Sequence, residues 1–491
     1  MIKKDFIKSS VIYTFSAALS TGASFLLLPF YTNTKLLTVS DFGALSLYIG
    51  LSLLVQVVAS FSLDYYVGVA YHELKDKSSE LKTKLASLNG YLITIGIIII
   101  ALFGLAGNFF IDHYIDNPSP ESFRYMMMSV VTGIFMAHFR FYSNLLVHRE
   151  KPMRYFWSNI LNFVTTVGFS IAILKMYPGT LEGPLWGRLL SCFSIFIVSF
   201  SEITFLYGIA FDKKFLKPVW QFCFPLMITA IFQWILSYSD RYIIKPLLFN
   251  KEVAIFDLAV RFTLLVNFLL DGLSSAISPR LFGLLREKSN PQNLKEINKY
   301  YSGFNVVTLI LIPLNILVLP IILPFFISSD KYLTAFLYFG IILAGFLTRS
   351  IQNLFIFPVH VFRKTSRLIA INGIAAVLQI GLGYVMVRYF KLYGAAFALN
   401  IIKVLMLFLY VYFCGDLLNP KINLKKMIWL PLASLFIICI PEMFIKEYGM
   451  QMHLIHFMEM AAIFIITYLG YKNEMTGLFS WGKAQIKAKL S

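Results

Sequence analysis

The stretches of this chain that run for twenty residues or more without a lysine, arginine, aspartate or glutamate include 9–34, 85–111, 155–174, 218–239, 300–329 and 368–387. A helix needs about 20 apolar residues to cross the roughly 30 Å of hydrocarbon in a bilayer, so runs of this length read as membrane spans. The remainder of the chain fits the same reading. With 58% apolar and 14% charged residues, it carries far more apolar side chain than a soluble core can bury. Hydropathy places fourteen spans, at 9–34, 42–66, 85–111, 121–147, 155–176, 184–208, 218–240, 253–278, 300–327, 332–359, 368–388, 393–414, 427–445 and 454–471. The expected fold class is therefore all-α and integral to the membrane.

The net charge of +18 is organised along the chain. Lysines and arginines crowd alternate connections, as in Lys75–Lys84, Arg149–Arg154, Lys213–Lys217, Arg280–Lys299, Arg363–Arg367 and Lys421–Lys426, and also both termini. The positive-inside rule makes those connections cytoplasmic, which puts both ends of the chain inside. The excess charge thus reports topology and contact with anionic membrane lipids, and no nucleic-acid partner is expected. The first apolar run is too long for a signal-peptide core and no small-residue cleavage site follows it, so it is read as a retained span. Cys192, Cys223, Cys414 and Cys439 have no paired or metal-ligand spacing.

At an offset of 213 residues, Lys151, Arg154, Asn159, Gly168 and Lys175 align with Lys364, Arg367, Asn372, Gly381 and Arg388. Asp41 and Glu252, each opening an even-numbered span, align at 211. Spans 1–6 are thus expected to recur as spans 7–12, as two parallel six-helix repeats around a central cavity. The corresponding divisions are 1–212, 213–416, and an accessory pair of helices with a basic cytoplasmic tail at 417–491. The outer connections are short, the longest near 112–120, and leave no room for a catalytic domain. The long cytoplasmic stretch 279–299, with Leu281, Leu284 and Leu285 among basic residues, reads either as an amphipathic surface helix or as a solvated linker.

Ionisable residues inside spans are expensive, about 2.5–3.5 kcal/mol each at the centre of the bilayer, and so mark partners or cavities. Arg261, Arg349 and Lys403 are the cations read inside helices, and Asp64, Glu202, Asp257 and Asp271 are acids nearer helix ends. Arg349, Gln352 and Asn353 share a helical face, Asn400 lies one turn before Lys403, and Gln56, Ser60 and Asp64 form an i, i+4, i+8 stripe. Such faces line a cavity or supply interhelical hydrogen bonds, and the sequence leaves both open. Asp257, one turn before Arg261, offers it an ion pair; Asp240 and Arg241 end span 7 at a similar depth and suit an outer gate. His453 and His456 have metal-site spacing, but no third ligand is near in sequence and no metal is expected. No nucleotide, hydrolase, zinc-protease or dinucleotide motif is present, so neither an enzyme nor a cofactor is expected.

Ser239-Asp240-Arg241-Tyr242-Ile243-Ile244, then Glu252-Val253-Ala254-Ile255-Phe256-Asp257-Leu258-Ala259, together with Tyr393-Gly394-Ala395-Ala396 and Ser40-Asp41-Phe42-Gly43, resemble the polysaccharide-transport branch of the multidrug/oligosaccharidyl-lipid/polysaccharide exporter superfamily. Ala254 and Phe256 stand where that branch usually has Gly and Tyr. The resemblance implies a flippase in a bacterial cytoplasmic (inner) membrane. It would move undecaprenyl-diphosphate-linked oligosaccharide to the outer leaflet for O-antigen, capsule or exopolysaccharide assembly, alongside glycosyltransferases and a polysaccharide polymerase. The diphosphate and sugars would meet Arg349, Lys403, Arg261, Gln352, Asn353 and Asn400. Asp64 and Asp271 would couple an ion, and Asp240, Arg241 and Asp257 would form gate pairs. The alternatives are a drug or cation antiporter of the same superfamily, or a lipid II flippase. The latter typically carries arginines in spans 1 and 2, which this chain lacks.

Overall fold

The computed structural model of the chain describes residues 4–74, 77–114, 121–286, 291–418, 424–472 and 474–476. The basic tail beyond 476 and the outer connection at 115–120 lie outside the described residues. Within them the secondary structure is helical and no strand occurs. Eleven segments are long and apolar enough to cross a membrane. One of these, Ser366–Leu417, spans 52 residues and is two crossings joined by a hairpin. Its helix α13 (Ser366–Cys414) contains Lys391 at φ 52°, ψ −133°. Beyond that residue the chain doubles back, so Arg367 at one end bonds Phe413 O and Asp416 at the other. In a straight helix those ends would lie about 70 Å apart. Gly394 sits so close against the Met386 carbonyl that no side chain fits there.

With that hairpin, α1 (Lys4–Tyr31) and α14 (Leu424–Glu442) included, there are fourteen span-length segments, matching the sequence reading. The others are α2 (Val39–Ser60) continued by α3 (Leu63–Glu73), α4 (Ser78–Tyr114), α5 (Ser122–His148), α6 (Pro152–Met176), α7 (Glu182–Tyr207), α8 (Lys213–Leu247), α9 (Asn250–Arg286), α10 (Pro291–Ile322), α11 (Phe336–Ala344) continued by α12 (Thr348–Val361), and α15 (Met450–Gly470). Local chemistry sets the ends. Thr38 Oγ1 accepts the Asp41 N–H at 3.1 Å and Asp212 accepts that of Lys214 at 2.9 Å, while Pro152 and Pro291 open α6 and α10 where their missing N–H costs nothing. Leu105 and Phe205 are about nine-tenths exposed; side chains this apolar on a bare surface call for lipid as their solvent.

Two spans are broken. Phe61 and Ser62 adopt left-handed φ of 47° and 56° between α2 and α3, a conformation worth about 1–2 kcal/mol against a residue with a Cβ. The Gln56–Ser60–Asp64 stripe therefore does not continue as one helical face: Ser60 bonds back to Val57 O at 3.0 Å, and Asp64 begins a new helix. The second break is the 3-10 turn Gly345–Leu347 between α11 and α12.

The repeat seen in the sequence has a counterpart in backbone geometry. The turn after α5 bonds Arg149 N to Leu145 O, Glu150 N to Val147 O and Lys151 N to Leu146 O. Adding 213 to every number gives the turn after α12, where Phe362 N bonds Pro358 O, Arg363 N bonds His360 O and Lys364 N bonds Val359 O. Glu150 and Arg363 take the same left-handed φ, 55° and 56°. The arginine three residues beyond each lysine then grips an acid at the end of a following helix, Arg154 to Glu202 at 2.5 Å and Arg367 to Asp416.

By packing, the chain separates into two compact units, 1–254 with 327–329 and 255–326 with 330–491. This division falls later than the repeat boundary at 212/213 because α8 belongs with the first unit. Trp234 Nε1 donates to Gly50 O at 2.9 Å and Tyr242 OH to Leu47 O at 2.8 Å, tying α8 to α2. In the second unit α14 and α15 are docked on the body. Asn305 donates to Met427 O and Tyr471 OH at 3.1 and 2.9 Å, and Tyr393 OH donates to Ile445 O at 2.9 Å. The stretch 279–299 is neither a surface helix nor a linker across its described part: α9 continues to Arg286, α10 starts at Pro291, and Leu281, Leu284 and Leu285 are buried with Ile297, Tyr301 and Phe357. Residues 287–290 lie outside the described residues.

Candidate functional site: intramembrane cations

In the second unit the charges gather at the Gly345–Leu347 break. Arg349 opens α12 and donates to Asp271 of α9 at 2.6 Å, with both side chains well exposed, 36% and 45%. Asn267 supports the carboxylate from one turn away at 3.0 Å. The Nε of Arg349 is buried without a hydrogen-bond partner, so the guanidinium keeps donor capacity beyond its ion pair.

Lys403 lies eleven residues from both Leu392 and Cys414, at the midpoint of the second arm of α13. Its ammonium sits 4.1 Å from the centre of the Phe346 ring, a cation–π contact, and among the described residues it has no carboxylate partner. Gly345 makes room for it: a Cβ there would stand 2.9 Å from Lys403 Nζ. Phe346 and Arg349 are three residues apart across the break, so the same irregular turn presents both cations. Helices interrupted at mid-membrane commonly mark ligand sites, because the interruption frees polar groups where lipid cannot satisfy them.

The amides expected beside these cations have other work. Gln352 is buried and donates to Thr348 Oγ1 at 3.4 Å, Asn353 is buried and donates to Ser274 Oγ at 3.3 Å, and Asn400 donates to Ile341 O at 2.7 Å. All three hold helices together or brace α12. Arg261 bonds Asp257 at 2.6 Å, the i, i+4 pair that the sequence offered. Asp240 and Arg241 pair at 2.9 Å, with Arg241 also on Ser237 O and over the Tyr238 ring.

The first unit contains two intramembrane cations that the sequence reading assigned to loops. Arg140 lies eight residues inside the end of α5, about 12 Å along its axis. Its Nε donates to Asp64 at 2.7 Å, and Asn144 donates to the same oxygen at 3.3 Å. Asp64 is 1% exposed and Arg140 35%, so a partly exposed guanidinium covers a buried carboxylate just past the Phe61–Ser62 break. Arg188 lies six residues into α7. It reaches Ser52 Oγ at 3.4 Å and Met136 Sδ at 4.0 Å, and among the described residues no carboxylate meets it. Both are legible as arginines flanked by apolar residues; assigning each to its nearest connection, inner for Arg140 and outer for Arg188, hides them. Arg188 on α7 and Lys403 on the second arm of α13 are thus two intramembrane cations that meet no acid among the described residues.

Over residues 6–285 the chain matches the family described as polysaccharide biosynthesis protein. No curated protein matches it. Among solved structures it is similar to the lipid II flippase MurJ in an inward closed conformation, at 16% identity and TM-score 0.68, covering 96% of this chain and 100% of that one. It is also similar to an inward-facing multidrug resistance MATE family transporter of the MOP superfamily, at 13% identity and TM-score 0.58 over 84% and 98%. A third is a mutant of the Vibrio cholerae MATE transporter VcmN, at 12% identity and TM-score 0.53 over 84% and 96%. The fold is that of flippases and transporters, and the chain is a multi-pass membrane protein that belongs to the polysaccharide biosynthesis protein family.

Proposed function

We propose that this protein is a flippase that carries undecaprenyl-diphosphate-linked oligosaccharide from the inner to the outer leaflet of a bacterial cytoplasmic membrane by alternating access. Both termini are cytoplasmic, and the product feeds O-antigen, capsule or exopolysaccharide assembly with its glycosyltransferases and polymerase. The observation that carries the reading is the pair of acid-free cations, Arg188 and Lys403, with Arg349 beside the second. A diphosphate is a dianion whose oxygens accept charge-assisted hydrogen bonds, from an arginine as a fork and from a lysine as a point charge. Arg349, held by an exposed carboxylate, can exchange Asp271 for phosphate at small cost, because exposed ion pairs are worth about 1 kcal/mol or less. The membrane potential favours this direction, at about 2.3 kcal/mol per negative charge moved outward through 100 mV.

A cation or drug antiporter would need free carboxylates among these spans. Instead Asp64, Glu202, Asp257 and Asp271 each hold an arginine; the exceptions among the described residues include Glu252 at the start of α9 and Glu442 and Glu459 on α14 and α15. Lipid II shares the diphosphate and differs in its sugars, so the test compares headgroups. In proteoliposomes, the chain should expose fluorescent undecaprenyl-diphosphate oligosaccharide to an impermeant lectin at a rate well above protein-free vesicles. The same glycan on neutral undecaprenol should stay at background. Equal rates for the two lipids, or transport of a cationic dye instead, would refute the proposal.

A further inference from the structure

The accessory helices carry a group of side chains that substrate transport does not explain. His453, His456 and Glu459 follow one another at intervals of three on α15, and Glu442 ends α14. The hairpin between these helices brings Glu442 and Glu459 to His456, with one ligand atom from each of the three within 4.8 Å of the others. All three are buried, Glu442 and His456 completely and Glu459 to 3%. His456 Nε2 is 3.0 Å from Glu442 Oε1. Glu442 Oε2 and both carboxylate oxygens of Glu459 have no hydrogen-bond partner. Among the described residues no lysine or arginine meets either glutamate.

Such a group cannot persist unaided in a membrane. Two buried carboxylates without a cation would cost several kcal/mol each in desolvation, and an unmade hydrogen bond adds about 1–3 kcal/mol per buried polar atom. Protons are one remedy, but a protonated glutamate would donate its O–H to the neighbouring carboxylate or to the imidazole. Glu459 makes no such bond. One ligand atom from each of the three lies within 4.8 Å of the others, a little wider than the ~4.4 Å that ligand atoms at 2.0–2.2 Å from a common metal can span, so a small inward shift of the side chains would close them on one ion. Gly340 of α11 adds a fixed wall, for a side chain there would collide with the Glu442 carboxylate.

We propose that Glu442, His456 and Glu459 bind a divalent transition-metal ion of the Zn2+ class and that the ion clamps α14 to α15. One imidazole nitrogen and two carboxylate oxygens are a donor set for such ions. Two negative charges against a divalent cation leave the buried site neutral. His453, one turn nearer the start of α15 and with an unpartnered Nδ1, stands at the approach to the cluster.

The test uses the full chain, purified in detergent and stripped with a chelator, then titrated with Zn2+ alone. Wild type should take up one equivalent that a weak chelator does not remove, and its thermal unfolding should move upward with Zn2+ by mass action. Glu459→Gln and His456→Ala, each judged folded by size-exclusion profile, should lose at least the ~10–100-fold in affinity that even outer-sphere losses cost a metal site. His72→Ala breaks a histidine–histidine contact in the first unit, His72 to His148 at 3.3 Å, and should leave the bound equivalent in place. The proposal is overturned if folded wild type binds no Zn2+, if Glu459→Gln binds as wild type does, if His72→Ala abolishes binding, or if the cluster's stability follows pH with no response to Zn2+.

Discussion

Cells that depend on this chain and carry Arg349→Ala with Lys403→Ala are expected to lose surface polysaccharide while inserting the protein at its normal level. The structure says why folding should survive. Lys403 has no acid to abandon and leaves only the Phe346 face uncovered. Asp271, which Arg349 would abandon, is 45% exposed and keeps its Asn267 hydrogen bond. The loss falls on the substrate. Hydrogen bonds to charged groups are worth about 1.5–3 kcal/mol each, so removing two donors should weaken recognition of a diphosphate by about 10²- to 10⁴-fold. The check is surface-polymer staining beside an immunoblot of the membrane fraction. Normal polymer with normal protein would remove these residues from the substrate path.

Arg140→Ala should act on the fold itself. It strands the Asp64 carboxylate, 1% exposed and left with one Asn144 bond; breaking a fully buried pair from one side costs about 3–5 kcal/mol, and the 35% exposure of Arg140 lowers the cost here to about 1–3 kcal/mol. The variant should unfold at a clearly lower temperature in detergent. Asp64→Asn added to it should restore most of the loss, because the double variant has no buried charge. The same cycle separates two roles for Asp64. If it serves only the pair, the double variant regains transport along with stability; if it couples an ion, stability returns and transport does not.

Much of this architecture could be read from the residues. Charge-free runs set the spans because hydrocarbon allows no other backbone than a helix, and even the α13 hairpin was marked by Arg388 and Lys391 between two apolar stretches. The 213-residue repeat was visible in side chains, and the turns at Glu150 and Arg363 carry it in the backbone. The helix breaks were not legible. Phe61 and Ser62 are neither glycine nor proline, and only packing holds them left-handed. The amides Gln352, Asn353 and Asn400 kept their helical spacing, but spacing cannot tell a face that lines a path from one that bonds a neighbouring helix. Arg188 was missed because hydropathy windows assign a charge near a helix end to the adjoining loop. For Glu442, fourteen residues before His456, nothing short of the α14–α15 hairpin reveals the partner.

The central claim is that acid-free cations inside the membrane recognise the diphosphate of a lipid-linked glycan. Binding of undecaprenyl-diphosphate oligosaccharide to the purified chain, by native mass spectrometry or by fluorescence titration, tests it most directly when set against the same glycan on undecaprenol and against Arg188→Ala and Lys403→Ala. The account predicts tight binding of the diphosphate form, at least tenfold weaker binding by each variant, and little binding of the neutral lipid. Equal affinity for the charged and neutral lipids, unchanged in both variants, would contradict it.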